Sequence, residues 1–330
     1  LFAFSLTYAI TSFALYAGLA YGISALSTAL NKPPKVNFGS GSSSASVEGS
    51  PRYGTFGSLT NTATSDLPIP VIYGELKMAG NSIYQSDPAE TVYRCDVLCE
   101  GLVNSIADIR INDVPIADVT GCSVSTYLGT ASQVVDSRFS DRVIGLRNLA
   151  YLALTLQTSD KLRGGFPVVT CTIQGMQVET WNGLIWGTTK VYSDNPAACI
   201  RDLIINIRYG IGLSKTLLDE SSFGEVYDYS NVLVSDGQSS TEKRYTINYS
   251  IDNKRPAVDI LSDLLAVCGG FLIWSGNRLK LRTEKVENTV QNFTMDNIVE
   301  KSFSYQYVPK DTMINRAKVQ YIDPTQNYTK

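Results

Sequence analysis

The sequence predicts a mainly β protein with α+β parts, in which two amphipathic helices interrupt many short strands. After about residue 60, runs rich in Val, Ile, Leu and Tyr recur and end at Gly, Pro, Asn or Asp, as strands do. In the second half, two segments repeat apolar residues at helical spacing instead. Strands at this spacing are typical of a β-barrel or a β-sandwich.

The composition is that of a folding protein without a nucleic-acid-binding surface. The 330 residues, of which 44% are hydrophobic and 18% charged, suffice for two or more domains with buried cores. The formal net charge is -3, and Lys and Arg are scattered singly. Because no basic stripe is present to neutralise phosphates, we do not expect high-affinity binding to nucleic acid.

Residues 1–31 contain no charged side chain, and we predict that they form an apolar helix. Three interpretations stay open: a transmembrane anchor, a secretory signal and an apolar helix buried in an assembly. The segment is long enough to span a bilayer, but it lacks the basic start of a signal peptide. Its Ala, Gly and Ser residues favour close helix packing. The chain starts with Leu rather than Met, which is consistent with a fragment of something longer.

Residues 32–58 are rich in Gly, Ser and Pro and are predicted to be a linker, because they cannot bury enough apolar surface to order themselves. Residues 59–188 are predicted to form the first β-domain. Its predicted strands cover residues 71–73, 92–98, 106–111, 149–156 and 168–173. The polar stretch 120–142 is predicted to be a long loop or an insertion. Residues 181–186 (Trp-Asn-Gly-Leu-Ile-Trp) predict a hairpin with a tight turn.

The first predicted helix lies in a domain of residues 189–250. Asn195 can cap this helix, and Pro196 can occupy its first turn. The residues that then recur at helical spacing, up to Gly210, are Cys199, Ile200, Leu203, Ile204 and Ile207. The pattern indicates a half-buried amphipathic helix.

The second predicted helix lies in a domain of residues 251–330 and runs from about Pro256 to Gly269. Its apolar face consists of Ile260, Leu261, Leu264, Leu265 and Cys268. A hairpin is predicted directly afterwards, with strands at 271–274 and 279–282 around a turn at 275–277.

The residue inventory argues against an enzyme. The chain has no histidine, so no Ser-His-Asp or Cys-His site can exist. The six cysteines lack the spacing of a structural zinc site and are expected to be buried free thiols: Cys95, Cys99, Cys122, Cys171, Cys199 and Cys268. A local disulfide or shared metal at the first two is the alternative. We predict no catalytic, cofactor-binding or metal-binding residue.

A carbohydrate-binding or glycan-degrading β-rich protein is the alternative function. The carboxylates that could supply the acid–base pair of a glycosidase are Asp194, Asp202, Asp219, Glu220 and Asp259. Helix capping and solvated surfaces are the favoured interpretation for them. Trp181, Trp186 and Trp274, with nineteen tyrosines, suggest a sugar-binding surface if they are exposed and packing if they are buried.

A series of motifs in fixed order resembles the tail-tip hub proteins of long non-contractile-tailed bacteriophages. The strongest are residues 192–197 (Tyr-Ser-Asp-Asn-Pro-Ala) and 208–212 (Arg-Tyr-Gly-Ile-Gly). Others are residues 68–74, 99–101, 109–113, 166–167, 173–175, 245–248, 251–252, 293–298 and 315–323. The resemblance covers about residues 60–325. One departure lies at residues 223–229, where the family implies a more conventional Ala-x-x-Cys helix and this chain has Gly224 and Tyr227-Asp228-Tyr229.

The resemblance implies tail-tube-like β-barrels with small mixed domains in a homotrimeric ring. Residues 59–188 would form the first hub barrel, residues 189–250 a helix-containing hub domain, and residues 251–330 a second hub β-domain that continues beyond the chain end. The ring would adapt a sixfold tail tube to a threefold tip, gate the DNA channel and carry receptor-binding parts.

The partners implied are the distal tail protein ring, the tape-measure protein and other tail-tip proteins. A host receptor would be contacted through regions outside this chain, and DNA would be passing cargo only. From their apolar composition, residues 1–31 are predicted to contact either the host membrane or the tape-measure protein inside the tube. The expected location is the tail tip of the virion, after assembly in the host bacterial cytoplasm.

Overall fold

In the computed structural model, the chain divides into two units, Leu1–Thr283 and Glu284–Lys330. The structure describes residues 59–86, 90–139, 146–157, 167–237, 239–294, 296–299, 302–305, 307 and 316. The predicted apolar helix over 1–31 and the linker over 32–58 lie outside the described residues. Of the described residues, 41% are in strands and 19% in helices, which confirms the mainly β class. The predicted domain boundaries stay predictions.

The regular elements that the structure describes all lie in the first unit. The strands are β1 (Val71–Tyr73), β2 (Glu75–Ala79), β3 (Asn81–Gln85), β4 (Thr91–Glu100), β5 (Val103–Ile111), β6 (Val114–Pro115), β7 (Cys122–Leu128), β8 (Leu149–Gln157), β9 (Val169–Trp181), β10 (Trp186–Tyr192), β11 (Leu233–Ser235), β12 (Thr241–Lys243), β13 (Tyr249–Ile251), β14 (Gly270–Ser275) and β15 (Arg278–Thr283). The α-helices are α1 (Pro196–Ile205), α2 (Glu220–Asn231) and α3 (Ala257–Val267).

The longest strand, β9, organises a five-stranded antiparallel sheet. It pairs with β2 through residues 170–174, with β5 through residues 169–176 and with β10 through residues 177–181. The short strand β6 extends this sheet beside β5. A strand of 13 residues is long enough to serve all three partners along its length.

A second, four-stranded antiparallel sheet has the order β3-β4-β8-β7. Apolar side chains from both sheets belong to one core, with Met78 and Ile173 from the first sheet and Leu98, Leu152 and Leu154 from the second. Burial of these side chains against each other is the main force that holds the two sheets together.

The strands do not close into a barrel within the part of the chain that the structure describes, so the predicted barrel is not found and the arrangement is of separate packed sheets. Closure needs unbroken pairing around the circumference. At the edges, β6 has only two residues and ends at Pro115, which has no N–H to donate. Strand β3 carries a bulge between Ser82 and Tyr84.

The polar stretch 120–142 is more ordered than predicted, because it contains the seven-residue strand β7. After it, a loop is fastened to the sheet through Asp136. The Asp136 carboxylate accepts hydrogen bonds from Arg138 Nε at 2.7 Å and from the Tyr127 hydroxyl at 2.9 Å. The Arg138 guanidinium also donates to Thr155 Oγ1 at 2.9 Å. These hydrogen bonds from Arg138 lower the pKa of Asp136 to about 2.

Helix α1 begins as predicted: the Asn195 side chain accepts a hydrogen bond from Ala197 N at 3.0 Å. It ends earlier than predicted, at Ile205, and Ile207 is 90% exposed rather than part of the buried face. The chain reverses there because Ile211 N donates to the Leu203 carbonyl and Leu213 N to the Ile204 carbonyl. Gly210 makes this possible, since a Cβ at that position would lie 2.0 Å from the Leu203 carbonyl oxygen.

Helix α3 and the hairpin β14–β15 match the predictions closely. The four apolar residues Ile260, Leu261, Leu264 and Leu265 are buried, as is Cys268 at the end of the helix. The turn residues Gly276 and Asn277 both have positive φ, as a tight hairpin turn requires. The first unit also contains two further two-stranded sheets, β1–β13 and β11–β12.

No helix among the described residues is both long enough and apolar enough to cross a membrane. The described residues of the second unit lie in turns and irregular chain, without a helix or strand.

The Asp136 carboxylate should make the stability of the protein depend on acid pH. The pKa of Asp136 is about 2 in the folded protein and 3.8 in its ordinary state. The ionised carboxylate therefore stabilises the fold above pH 3.8, and this stabilisation is lost as the pH falls toward 2. Asp136→Asn should therefore lower the free energy of unfolding at neutral pH by at most about 2 kcal/mol. Urea unfolding from neutral to strongly acid pH checks this, and parallel pH profiles of parent and variant would contradict it.

Replacing a buried apolar residue of α1 or α3 by alanine should destabilise the protein strongly. Leu203 and Leu264 are almost fully buried, so each alanine variant should lose about 2 to 5 kcal/mol of unfolding free energy. Ile207→Ala is the matched control because this side chain is exposed, and it should change stability by less than about 0.5 kcal/mol. Chemical denaturation of the three variants gives the answer. Equal losses for Leu203→Ala and Ile207→Ala would show that the helix end is misplaced.

Candidate functional site

A polar site that joins several elements is built around the buried side chain of Arg201 on α1. Its guanidinium donates to Glu179 of β9 at 2.7 Å and, through two nitrogens, to Glu220 of α2 at 2.7 Å each. It also lies 4.6 Å from the ring centroid of Trp186 on β10. A single side chain, only 3% exposed, thus joins two helices and two strands. We refer to Arg201, Glu179, Glu220 and Trp186 as the charged joint.

The charges of this joint support one another. Burial alone would raise the pKa of Glu179, but hydrogen bonds from Lys215 and Arg201 outweigh burial and hold the pKa below its usual value. Burial would lower the pKa of Arg201, and the hydrogen bonds to Glu220 and Glu179 raise it instead. The charged forms are therefore the stable ones at neutral pH, and the guanidinium makes the bidentate contact that carboxylates favour.

The neighbouring residue Asp202 forms a second set of contacts on the same helix. One carboxylate oxygen, Oδ2, accepts the hydroxyls of Tyr73 at 2.9 Å and Tyr209 at 2.6 Å, while Lys190 Nζ lies 3.5 Å from Oδ1. Burial, and then the Asp202 charge, raise the pKa of Tyr73 well above its ordinary value. Tyr73 lies in β1, so Asp202 fastens α1 to that strand.

A cavity of about 240 Å³ lies beside these residues. Its lining consists of Glu179, Lys190, Ala198, Arg201, Asp202, Ile205, Asn206, Ile207 and Lys215. The charged groups of the lining already form ion pairs with each other or with their neighbours. The arrangement is suited to holding elements in place, since none of its carboxylates is left without a cation.

The five carboxylates singled out in the sequence do not gather around a common cleft. Asp194 forms an ion pair with Lys243 at 2.6 Å, and Asp219 caps α2 by accepting from Ser222 N at 3.2 Å. Asp202 and Glu220 bind the groups described above, and Asp259 lies in the first turn of α3. Helix capping, one part of the favoured interpretation, holds for Asp219, but Asp202 is buried rather than on a solvated surface.

The tryptophans are packed against the protein and not displayed. The rings of Trp181 and Trp186 are 5.7 Å apart, and both are half-buried. Trp181 Nε1 donates to Asp228 at 3.1 Å, and Trp186 Nε1 donates to the Glu220 carbonyl at 3.1 Å. Trp274 is also half-buried and packs on the main core. The hairpin over residues 181–186 is present as predicted.

The departure from the family pattern at Gly224 has a physical reason. Helix α2 forms there, and the Trp181 indole lies against it so closely that a Cβ on Gly224 would be 2.4 Å from Trp181 Cε2. The hydrogen bond from Trp181 to Asp228, one turn further on, fixes the same contact. The contact between α2 and β9 is thus made by Trp181, which packs on Gly224 and donates a hydrogen bond to Asp228.

The key residues Arg201, Glu179, Tyr73 and Tyr209 were not singled out from the sequence. A signal was present, because Arg201 and Asp202 place two adjacent charges in the middle of a helix whose other residues are almost all apolar. Both charges could still have shared the solvent face of an amphipathic helix, because adjacent residues point in directions only 100° apart.

No cluster of three or more potential metal ligands is found among the described residues. All six cysteines are free, so the alternative of a disulfide between Cys95 and Cys99 is wrong. Five of them are buried, and Cys122 is half-buried. Burial raises the pKa of the Cys268 thiol to about 11, which keeps it protonated and unreactive.

Removal of the central cation of the charged joint should be costly. Arg201→Met keeps the length of the side chain but leaves Glu179 and Glu220 without their main partner. We expect a loss near the lower end of about 3 to 5 kcal/mol, because Glu220 is partly exposed. The matched control is Arg282→Met, which breaks the exposed pair with Glu225 and should cost about 1 kcal/mol or less. Equal urea midpoints for Arg201→Met and Arg282→Met would contradict the central role of Arg201 in the charged joint.

Known proteins similar to this chain are components of phage tails. Residues 256–330 match the family described as Phage-tail_3, putative phage tail protein. Tip attachment protein J of Escherichia phage SECphi27 is 28% identical over 151 residues, which cover 45% of this chain and 12% of that protein. Tip attachment protein J of Escherichia phage SECphi4 is 23% identical over 235 residues, which cover 66% of this chain and 19% of that protein.

Among solved structures, a chain from the virion of a native gene transfer agent (GTA) particle is similar, with 14% identity and a TM-score of 0.44 over 69% of this chain and 55% of that one. The present chain spans less than a fifth of the length of the two tip attachment proteins. The resemblance to phage tail-tip proteins is confirmed by these sequence matches, and this chain is similar to phage tip attachment protein J.

Proposed function

We propose that this chain is a structural hub of a phage tail tip. The observation that carries the proposal is the match of 235 residues, two thirds of the chain, to a tip attachment protein. In this proposal three copies form a ring that adapts a sixfold tail tube to a threefold tip. The ring gates the DNA channel and carries receptor-binding parts.

The open sheets support an assembly of several copies. Sheet edges expose unpaired backbone groups, which proteins cover in order to avoid uncontrolled pairing. In a closed ring of identical subunits, each copy can cover an edge of the next.

The charged joint supports a role in which parts must keep a fixed orientation. It fastens α1 and α2 to the sheet strands β9 and β10 through one fully compensated guanidinium. A hub that joins two symmetries depends on the relative placement of its domains more than on any reactive group. The scattered charges and net charge of -3 support DNA as passing cargo rather than a bound ligand.

The proposed partners are the distal tail protein ring, the tape-measure protein, other tail-tip proteins and, through regions outside this chain, a host receptor. Residues 1–31 are proposed to contact either the host membrane or other protein in the tube. The proposed place is the virion tail tip, after assembly in the host cytoplasm. The glycan alternative gains no support from Trp181 and Trp186, whose rings pack within the protein. Absence of enzyme activity stays a prediction.

The hub proposal predicts that the chain assembles as a homotrimer. Light scattering coupled to size exclusion should give three times the chain mass of 36.1 kDa at physiological salt. Electron microscopy of the same fraction should show a ring with threefold symmetry. A monodisperse monomer at micromolar concentration, or a closed dimer, would contradict the proposal.

A further inference from the structure

The loop between β9 and β10 displays two apolar side chains on a rigid support. Leu184 is 83% exposed and Ile185 is 65% exposed. The Asn182 side chain accepts hydrogen bonds from the backbone N–H groups of both, at 3.0 and 2.9 Å, and Asn182 N donates to the Ile185 carbonyl. The rings of Trp181 and Trp186 pack together at its base. We call residues 182–185 the apolar knob.

A rigid apolar projection of this kind is prepared for binding. Exposed large apolar side chains are ordinary when they are isolated, but two adjacent ones at the tip of a fixed turn form a compact hydrophobic surface. Because the turn is already ordered by its own hydrogen bonds, little conformational entropy is lost when a partner covers it.

An apolar groove of about 210 Å³ lies elsewhere in the same unit, between the segment before β1 and the strand β3. Its lining consists of Thr64, Ser65, Asp66, Leu67, Pro68, Ile69, Pro70, Asn81, Ile83, Val97 and Leu149. At its rim, Ile69 is 42% exposed and Ile83 is 45% exposed. A cavity of about 150 Å³ already admits benzene, so this groove can hold one side chain of the size of leucine.

The knob and the groove lie near opposite ends of β9. Asn81, in the groove lining, comes two residues after Ala79, which pairs with Thr170 at the start of β9. The knob directly follows Trp181, the last residue of β9. At about 3.3 Å per residue, the intervening strand is roughly 35 Å long. The knob therefore cannot reach the groove of its own chain.

We propose that the apolar knob of one copy inserts into the apolar groove of the next copy, with Leu184 as the anchoring side chain. The knob carries no charge, and the charged residue of the groove lining, Asp66, is exposed, so its carboxylate can stay in water at the rim of the contact. Such a contact joins two different surfaces, the knob of one copy and the groove of the next. When each copy makes this contact with its neighbour and the rotation between copies closes, the copies form a ring. The inference rests on the proposed hub function and names the contact that would build the ring.

The knob is an anchor within a larger interface. Stable interfaces between proteins bury about 1,000 Å² or more, which is beyond what two side chains supply. A few residues buried at the centre of an interface nevertheless carry most of its binding energy. A charge on the knob or in the groove should therefore weaken assembly while leaving the fold of each copy unchanged.

The first test compares assembly of the full chain and of three single variants by mass photometry over a dilution series. Leu184→Asp, in the knob, and Ile83→Asp, in the groove, should each raise the concentration needed for trimer formation at least tenfold. The matched control, Leu233→Asp, changes an exposed leucine of β11 (64% exposed) and should assemble like the parent. Circular dichroism should show unchanged secondary structure for all four proteins. Parent-like assembly of Leu184→Asp overturns the inference.

The second test uses a cross-link between copies. The double variant Leu184→Cys with Ile69→Cys should form disulfides between chains and give covalent species up to the trimer on a non-reducing gel, while each single variant should not. A trimer by light scattering without these cross-links would overturn this contact and leave the hub proposal intact. A parent protein that stays monomeric at every concentration would overturn the hub proposal itself.

Discussion

The arrangement of helices on sheet depends on one buried charge that cannot be neutralised by loss of a proton. A guanidinium keeps its charge at any physiological pH, so Arg201 must find carboxylates inside the protein or stay in water. It finds Glu179 from β9 and Glu220 from the start of α2, and it covers the face of Trp186. In this arrangement of α1 against these elements, the guanidinium satisfies all three contacts at once. The apolar core supplies most of the stability, but core packing tolerates sliding more readily than a bidentate ion pair does.

The features that could be predicted from the sequence depend on residues that are close together along the chain. The Asn195 cap, the apolar face of α3 and the turn at Gly276 and Asn277 each involve residues within a few positions of one another. The errors have a different origin. Strand β7 was not predicted because its Ser and Thr residues conceal the alternation of apolar and polar side chains. Its partner strand β8 also lies more than 20 residues further along the chain. The exposure of Ile207 follows from a chain reversal in which residues 211 and 213 bind the last carbonyls of α1.

The candidate site was even less accessible to prediction, because its parts are far apart in the chain. Arg201 is 22 residues from Glu179 and 19 from Glu220, and Asp202 is 129 residues from Tyr73. A periodic pattern within one helix shows that two charges stand in an apolar segment, but it cannot show which distant carboxylate or hydroxyl will meet them. The same is true of Gly224, where the absence of a side chain has meaning only beside the Trp181 ring.

The charged joint and the apolar knob are physically connected. Trp186 lies under the Arg201 guanidinium and also packs against Trp181, and these two rings form the base of the knob. Trp181 is held in turn by Asp228 and by the space that Gly224 leaves in α2. The direction in which Leu184 and Ile185 project is thus set by the same contacts that fasten the helices to the sheet. If copies meet through the knob, the angle between neighbours in the ring follows from the internal geometry of each subunit, and a change that loosens Arg201 would alter assembly without touching the interface.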